Sequence, residues 1–200
     1  MVKETPIFAE SFFQITPHQI FQSLYFYYHD PSKNFFHLEK TGASEGELEA
    51  VQENLQYWID EDDLFVNNEK IRMLIQDTNL HFQENDPFFP FLFFSIESQY
   101  YQLYNERVNE IHLYAKPEKI PYPAISCWEV FTGKIISVES NSFNIISHDK
   151  THTTFYLTKG EIIGGDERIF VNISLEKQNS EESTRLKKIE KKETMLVRKR

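Results

Sequence analysis

What this chain lacks narrows it first. It has one cysteine, Cys127, so no internal disulfide can form and a disulfide scaffold is excluded. Six glycines and eight prolines are too few for a collagen-like or glycine-rich linker protein. The densest apolar run, Phe88 to Ile96, is broken by Pro90 and Ser95 and falls far short of the roughly 20 residues that span a bilayer as a helix. The residues after Met1 carry no signal-peptide pattern, so the expectation is a cytoplasmic protein without a membrane span. No phosphate loop, dinucleotide fingerprint, nucleophile elbow or kinase signature occurs. No cofactor or metal is therefore expected, and an enzyme is not the favoured reading.

What is present is aromatic and acidic. Eighteen Phe, ten Tyr and two Trp in 200 residues provide ample material for a core and exclude general disorder. That length suits one elaborated domain or two small ones. The net charge of −10 hides an asymmetry: residues 1–175 carry −14 and residues 176–200 carry +4. An acidic body repels nucleic acid and anionic membranes at long range. The tail, with Lys187, Lys188, Lys191 and Lys192, could still contact an anion locally.

Thr16-Pro17-His18-Gln19 has the form of a helix cap, and Ile20, Phe21, Leu24 and Tyr28 follow at helical spacing. Leu24–Tyr28 is also β-prone, which predicts a short helix running into a strand. Phe35–Lys40 reads as a strand after the Asp30–Asn34 turn. The clearest helix spans 44–61, opening on a Ser44/Glu47 capping box. Leu48, Val51, Leu55, Trp58 and Ile59 form its apolar stripe, which should pack on a sheet. Strands are expected at Leu64–Val66, Ile71–Gln76, Asn79–Gln83, Phe91–Ile96 and Val108–Tyr114, with Asn67-Asn68 as a hairpin turn. Gln99–Arg107 reads as a helix.

These features predict an α+β protein, mostly antiparallel, with residues 1–115 as a region built on helix 44–61. Residues 116–123, with three prolines, form a linker or stiff crossover. Residues 124–175 read as a β-meander suited to a small barrel or half a sandwich, with Gly164-Gly165-Asp166 as a turn. Residues 176–200 form a basic tail, disordered or helical.

Candidate sites are sparse. His148 and His152 with Asp149 are the tightest possible metal group, but zinc needs three or four ligands, and a polar hairpin tip is the simpler account. Cys127 has no local base to activate it and reads as a buried structural thiol. Asp60–Asp63 reads as a solvated loop, with docking of a basic partner as the sharper alternative. Phe88, Phe89, Phe91 and Phe93, with Tyr100, Tyr101 and Tyr104, are the candidate interface if exposed, and core if not. The leading expectation is a non-enzymatic binding or scaffold module working through protein contacts or self-association. The alternatives are a nucleic-acid or nucleotide-binding regulator using the barrel and tail, and a metal-dependent enzyme assembled from distant residues. Between residues 124 and 175 acidic groups outnumber basic ones, which opposes a phosphate-tracking groove.

Overall fold

The computed structural model describes residues 5–141 and 144–174. The tail lysines and Phe143 lie outside the described residues. Strand β1 (Thr5–Ile15) turns into β2 (Ile20–His29), followed by helices α1 (Asn34–Thr41) and α2 (Ser44–Glu61). Next come β3 (Asp63–Val66), β4 (Glu69–Ile71), β5 (Met73–Phe82), β6 (Pro90–Ser98) and β7 (Val108–Lys119). The chain then adds β8 (Ala124–Val130), β9 (Gly133–Ser140), β10 (Asn144–His148), β11 (His152–Leu157) and β12 (Ile162–Ile173).

The strands form two sheets. Seven run in the order β10-β11-β8-β1-β2-β6-β5, and five in the order β4-β3-β7-β12-β9. Every pair of these strands is antiparallel except β1 with β8. The protein is thus α+β and mostly antiparallel. The meander after Pro123 does not close into a barrel: β8, β10 and β11 join one sheet, β9 and β12 the other. Of the proline-rich stretch 116–123, Lys116–Lys119 is the end of β7, and only residues 120–123 carry the chain from β7 to β8 in the other sheet. One hydrophobic cluster draws on both halves of the chain, including Ile20, Phe94 and Ile111 with Trp128, Phe155 and Val171.

Side-chain alternation sets the inner faces. On β6, Leu92, Phe94 and Ile96 are buried while Phe91 and Phe93 are half-buried on the outer face. The inner face of the seven-stranded sheet meets the five-stranded sheet over part of its area. Elsewhere it meets the helices: Phe35 of α1 lies 5.4 Å from Tyr28, ring to ring, and Leu48, Val51, Leu55 and Ile59 of α2 pack on the main cluster.

Several local expectations are corrected. Thr16–Gln19 is a hairpin turn, not a helix start. The Thr16 hydroxyl accepts from the Gln19 N–H at 3.0 Å, as a cap would, and the Thr16 N–H bonds to the Gln19 carbonyl at 3.0 Å. Pairing of β2 with both β1 and β6 overrides the helical spacing. Phe35–Lys40 is helical, because the buried Asp30 carboxylate accepts the Phe35 N–H at 3.0 Å and Gly42 ends the helix with φ 71°. In α2, Ser44 is already helical and no side chain caps the end, because α1 leads into it through Gly42-Ala43. Gln99–Arg107 is irregular. Its backbone donates from Tyr101 and Leu103 to the carbonyls of His18 and Pro17 at 2.9 Å each. Gly164-Gly165 lies within β12, opposite a register irregularity in which β7 carries the extra residue, rather than at a turn between strands.

Candidate ligand-binding cavity

The two sheets do not fill the space between them. A cavity of about 980 Å³ lies there, closed along one side by the C-terminal half of α2. Phe13, Leu24, Phe26 and Trp128 line it from the seven-stranded sheet, Leu64 and Leu113 from the five-stranded sheet, and Leu55, Trp58 and Ile59 from α2. Alternation explains the lining: inward positions of β1, β2 and β8 carry Ala9, Ser11, Gln22 and Ala124, too small or too polar to meet the opposite sheet.

Packing energetics decide what such a space means. Unfilled volume costs roughly 24 cal/mol per Å³, so a sealed hole this large would exceed the total stability of a domain, about 5–15 kcal/mol. The space must hold solvent or a ligand, and it is open to both. Trp58, Lys70 and Arg72 line it, yet Trp58 is 52% exposed and the two basic side chains more than half exposed. Trp58 therefore stands at a rim rather than in the core stripe expected for it.

Five acidic side chains reach the wall, Glu10, Asp60, Asp62, Glu118 and Glu167, and burial pushes up the carboxyls of two of them, Glu167 and Asp62. Glu167 points inward from β12, in step with Ile169, Val171 and Ile173, and is only 7% exposed. Its Oε1 has no hydrogen-bond partner. Burial first, then the charge of Asp62, pushes its carboxyl up to about 8. Asp62 follows the last turn of α2 and also lines the cavity. Burial, with its acidic neighbours Asp63 and Glu61, pushes it up to about 6 against the pull of a backbone hydrogen bond from Lys116. The cations of the rim are already engaged: Lys70 pairs with Asp63, and Arg72 holds Asp60 through two contacts of 2.6 and 2.9 Å.

The acidic cluster Asp60–Asp63 is therefore divided by task. Asp60 and Asp63 pair with Arg72 and Lys70 at the exposed rim, while Asp62 also lines the cavity and is pushed up by burial. The sequence pointed to the cluster but not to Glu167. A signal was there, since Glu167 has the same parity as Ile169, Val171 and Ile173. A carboxyl on the apolar face of a strand marks a special position.

The other candidates scatter. Phe91 and Phe93 lie on the outer face of the seven-stranded sheet, with Tyr25 5.0 Å from Phe93 and Tyr27 5.6 Å from Phe91 between ring centres. Phe88 sits under the Lys33 ammonium at 4.2 Å, and Phe89 stacks on His29 at 5.5 Å. Tyr100 and Tyr104 are exposed, whereas Tyr101 is buried at 3% with its hydroxyl donating to the Thr16 carbonyl. His148 and His152 belong to one hairpin, where His152 Nε2 meets Glu129 at 3.1 Å. Among the described residues no group of three or more His, Cys, Asp or Glu is placed to hold a metal ion. Cys127 is half-buried beside the Thr154 hydroxyl at 3.6 Å. Among the described residues no helix is long and apolar enough to cross a membrane. Neither a family model, nor a curated protein, nor a solved structure matches this chain.

Proposed function

We propose that this protein is a non-enzymatic binding module whose inter-sheet cavity takes an apolar small molecule. The cavity carries the reading: about 980 Å³ of mostly apolar space, with a few polar groups at its wall, is the form that ligand sites take. A native core otherwise leaves few voids larger than a water molecule. Both tryptophans, Trp58 and Trp128, line it, so their fluorescence reports on occupancy. The test is a titration with dodecanol, a neutral chain molecule. Saturable change in tryptophan emission supports the reading, as does its weakening in Ala115→Leu, which narrows the cavity from β7. Absence of any saturable change, confirmed by calorimetry, overturns it.

A second reading, contact with another protein or another copy of this chain, is favoured by a different observation. Phe8, Phe12, Tyr25, Tyr27, Phe91 and Phe93 tile the outer face of the seven-stranded sheet in a chain of ring contacts. The opposite charges of body and tail would support head-to-tail association. Light scattering at low and high salt tests this on the full chain and on one ending at Leu175. A salt-dependent increase in mass that Tyr25→Ser with Phe93→Ser abolishes supports it. A constant monomer mass for both chains removes self-association.

A further inference from the structure

The chemical class of the ligand can be narrowed from the polar end of the cavity. We infer that the cavity takes an amphiphilic amine, with its ammonium group held by the carboxyls of Glu167 and Asp62 and its chain along the apolar wall. This rests on the binding reading above.

Three observations converge on it. Glu167 Oε1 is a buried acceptor without a partner, aimed inward from an otherwise apolar strand face. Such an atom is costly to leave unpaired, and a bound donor satisfies it. The influences on this carboxyl are burial and the Asp62 charge, and no lysine or arginine is among them. The cations on the cavity wall, Lys70 and Arg72, are paired with Asp63 and Asp60, and among the described residues neither Glu167 nor Asp62 has an ion-pair partner. Asp62 also caps the C-terminus of α2, whose last turn contains no basic residue. The exposed carbonyls of a helix C-terminus favour a cation, and α2 brings no cation of its own to that turn.

Headgroup chemistry separates the amine from its rivals. An ammonium offers three N–H donors and a positive charge, enough to bridge two carboxyls. Its charge also favours the ionised form of each acid, offsetting what burial disfavours. An alcohol offers one donor and no charge. A fatty acid would bring a third carboxyl to a site that already disfavours two.

The experiment compares dodecylamine, dodecanol and dodecanoate, each below its solubility or micelle limit, by calorimetry and tryptophan fluorescence at neutral pH. The expected order is amine tightest, alcohol weaker by roughly tenfold or more, dodecanoate weakest, in line with a charge-assisted hydrogen bond inside a cavity. Glu167→Gln should collapse the ratio between amine and alcohol. Asp62→Asn, at a half-buried position that tolerates change more readily, should reduce the same ratio and serves if the first variant fails to fold. Equal affinity for amine and alcohol, or a ratio that survives both substitutions, overturns the headgroup inference while leaving the apolar-binding reading intact. Failure of all three molecules to bind overturns both.

Discussion

Glu167 is the residue at which local and global demands disagree. Its neighbours on the inner face of β12 are Ile169, Val171 and Ile173, and a carboxyl there is held near neutrality by burial. The consequence for stability has a definite sign. The folded state keeps its proton up to about 8, whereas the unfolded chain releases it near the ordinary 4.5. Between those values the unfolded state binds fewer protons, so stability falls as pH rises through the window. The size is of the order of a few kcal/mol, since each pKa unit corresponds to about 1.4 kcal/mol. Asp62 acts in the same direction over a lower range, ending near 6. Exposed acids such as Asp149, drawn down to about 2 by the Thr151 and His152 backbone N–H groups, act oppositely. The clean measurement is therefore a difference. The denaturant midpoint of Glu167→Gln should rise relative to the unsubstituted protein as pH is raised from 5 to 8, the window bounded by 4.5 and about 8. A pH-independent difference would show that the carboxyl is not held protonated. Gly164 is a second residue with a local constraint. Its φ is 87°, and an added Cβ would lie 2.7 Å from the Lys116 carbonyl oxygen. Gly164→Ala should lose roughly 1–3 kcal/mol in chemical unfolding, because its positive φ and the close approach of the β7 backbone leave no room for a side chain.

At the scale of elements, α2 does more than cover an apolar face. Strand β5 is an edge of the seven-stranded sheet, and an edge leaves backbone groups unpaired. Gln56 pairs two of them: its amide donates to the Met73 carbonyl at 3.0 Å, and its carbonyl accepts the Ile75 N–H at 2.9 Å. The side chain thus imitates a neighbouring strand. Gln52 adds a bond from the Thr78 hydroxyl at 2.9 Å. Gln56→Leu keeps the helix former but strands a donor and an acceptor, so it should cost about 1–3 kcal/mol, read as a shift of the urea midpoint. The helix itself was legible in the sequence because its apolar spacing repeats over five residues from Leu48 to Ile59. The Asn67-Asn68 hairpin was legible because both residues tolerate the positive φ of 52° and 68° they adopt. Thr16–Gln19 was not, since a threonine hydroxyl accepts the same N–H in a helix cap and in a hairpin turn. Only the pairing of β2 with its neighbours decides between them. The cavity was not legible either. It arises where small side chains on β1 and β8 face a distant strand, and the sequence does not show which strands oppose each other.

For the whole molecule, the same features that allow ligand binding reduce the stability of the empty protein. An open, mostly apolar cavity and two acids, Glu167 and Asp62, with no ion-pair partner among the described residues are left in that form, and a ligand that fits relieves both. Linkage gives the scale: a ligand at about a hundred times its dissociation constant adds about 2.7 kcal/mol. For a domain of 150–250 residues roughly 2–4 °C follows from each kcal/mol, so dodecylamine at that level should raise the melting temperature by about 5–11 °C. The substituted protein makes the trade visible. Glu167→Gln should melt higher than the unsubstituted protein when both are empty at pH 8, because the burial penalty of the carboxyl is gone. It should gain less from dodecylamine, because the charge that meets the ammonium is gone as well. Thermal unfolding of both proteins with and without the amine gives four midpoints, and the proposal requires the two shifts to have opposite order. A variant that is more stable when empty and still gains as much from the amine would separate the buried acid from ligand recognition, assigning Glu167 a purely structural penalty. Positions where stability is sacrificed for recognition are expected to break local rules, and a carboxyl on the apolar face of β12 is the clearest such break in this chain.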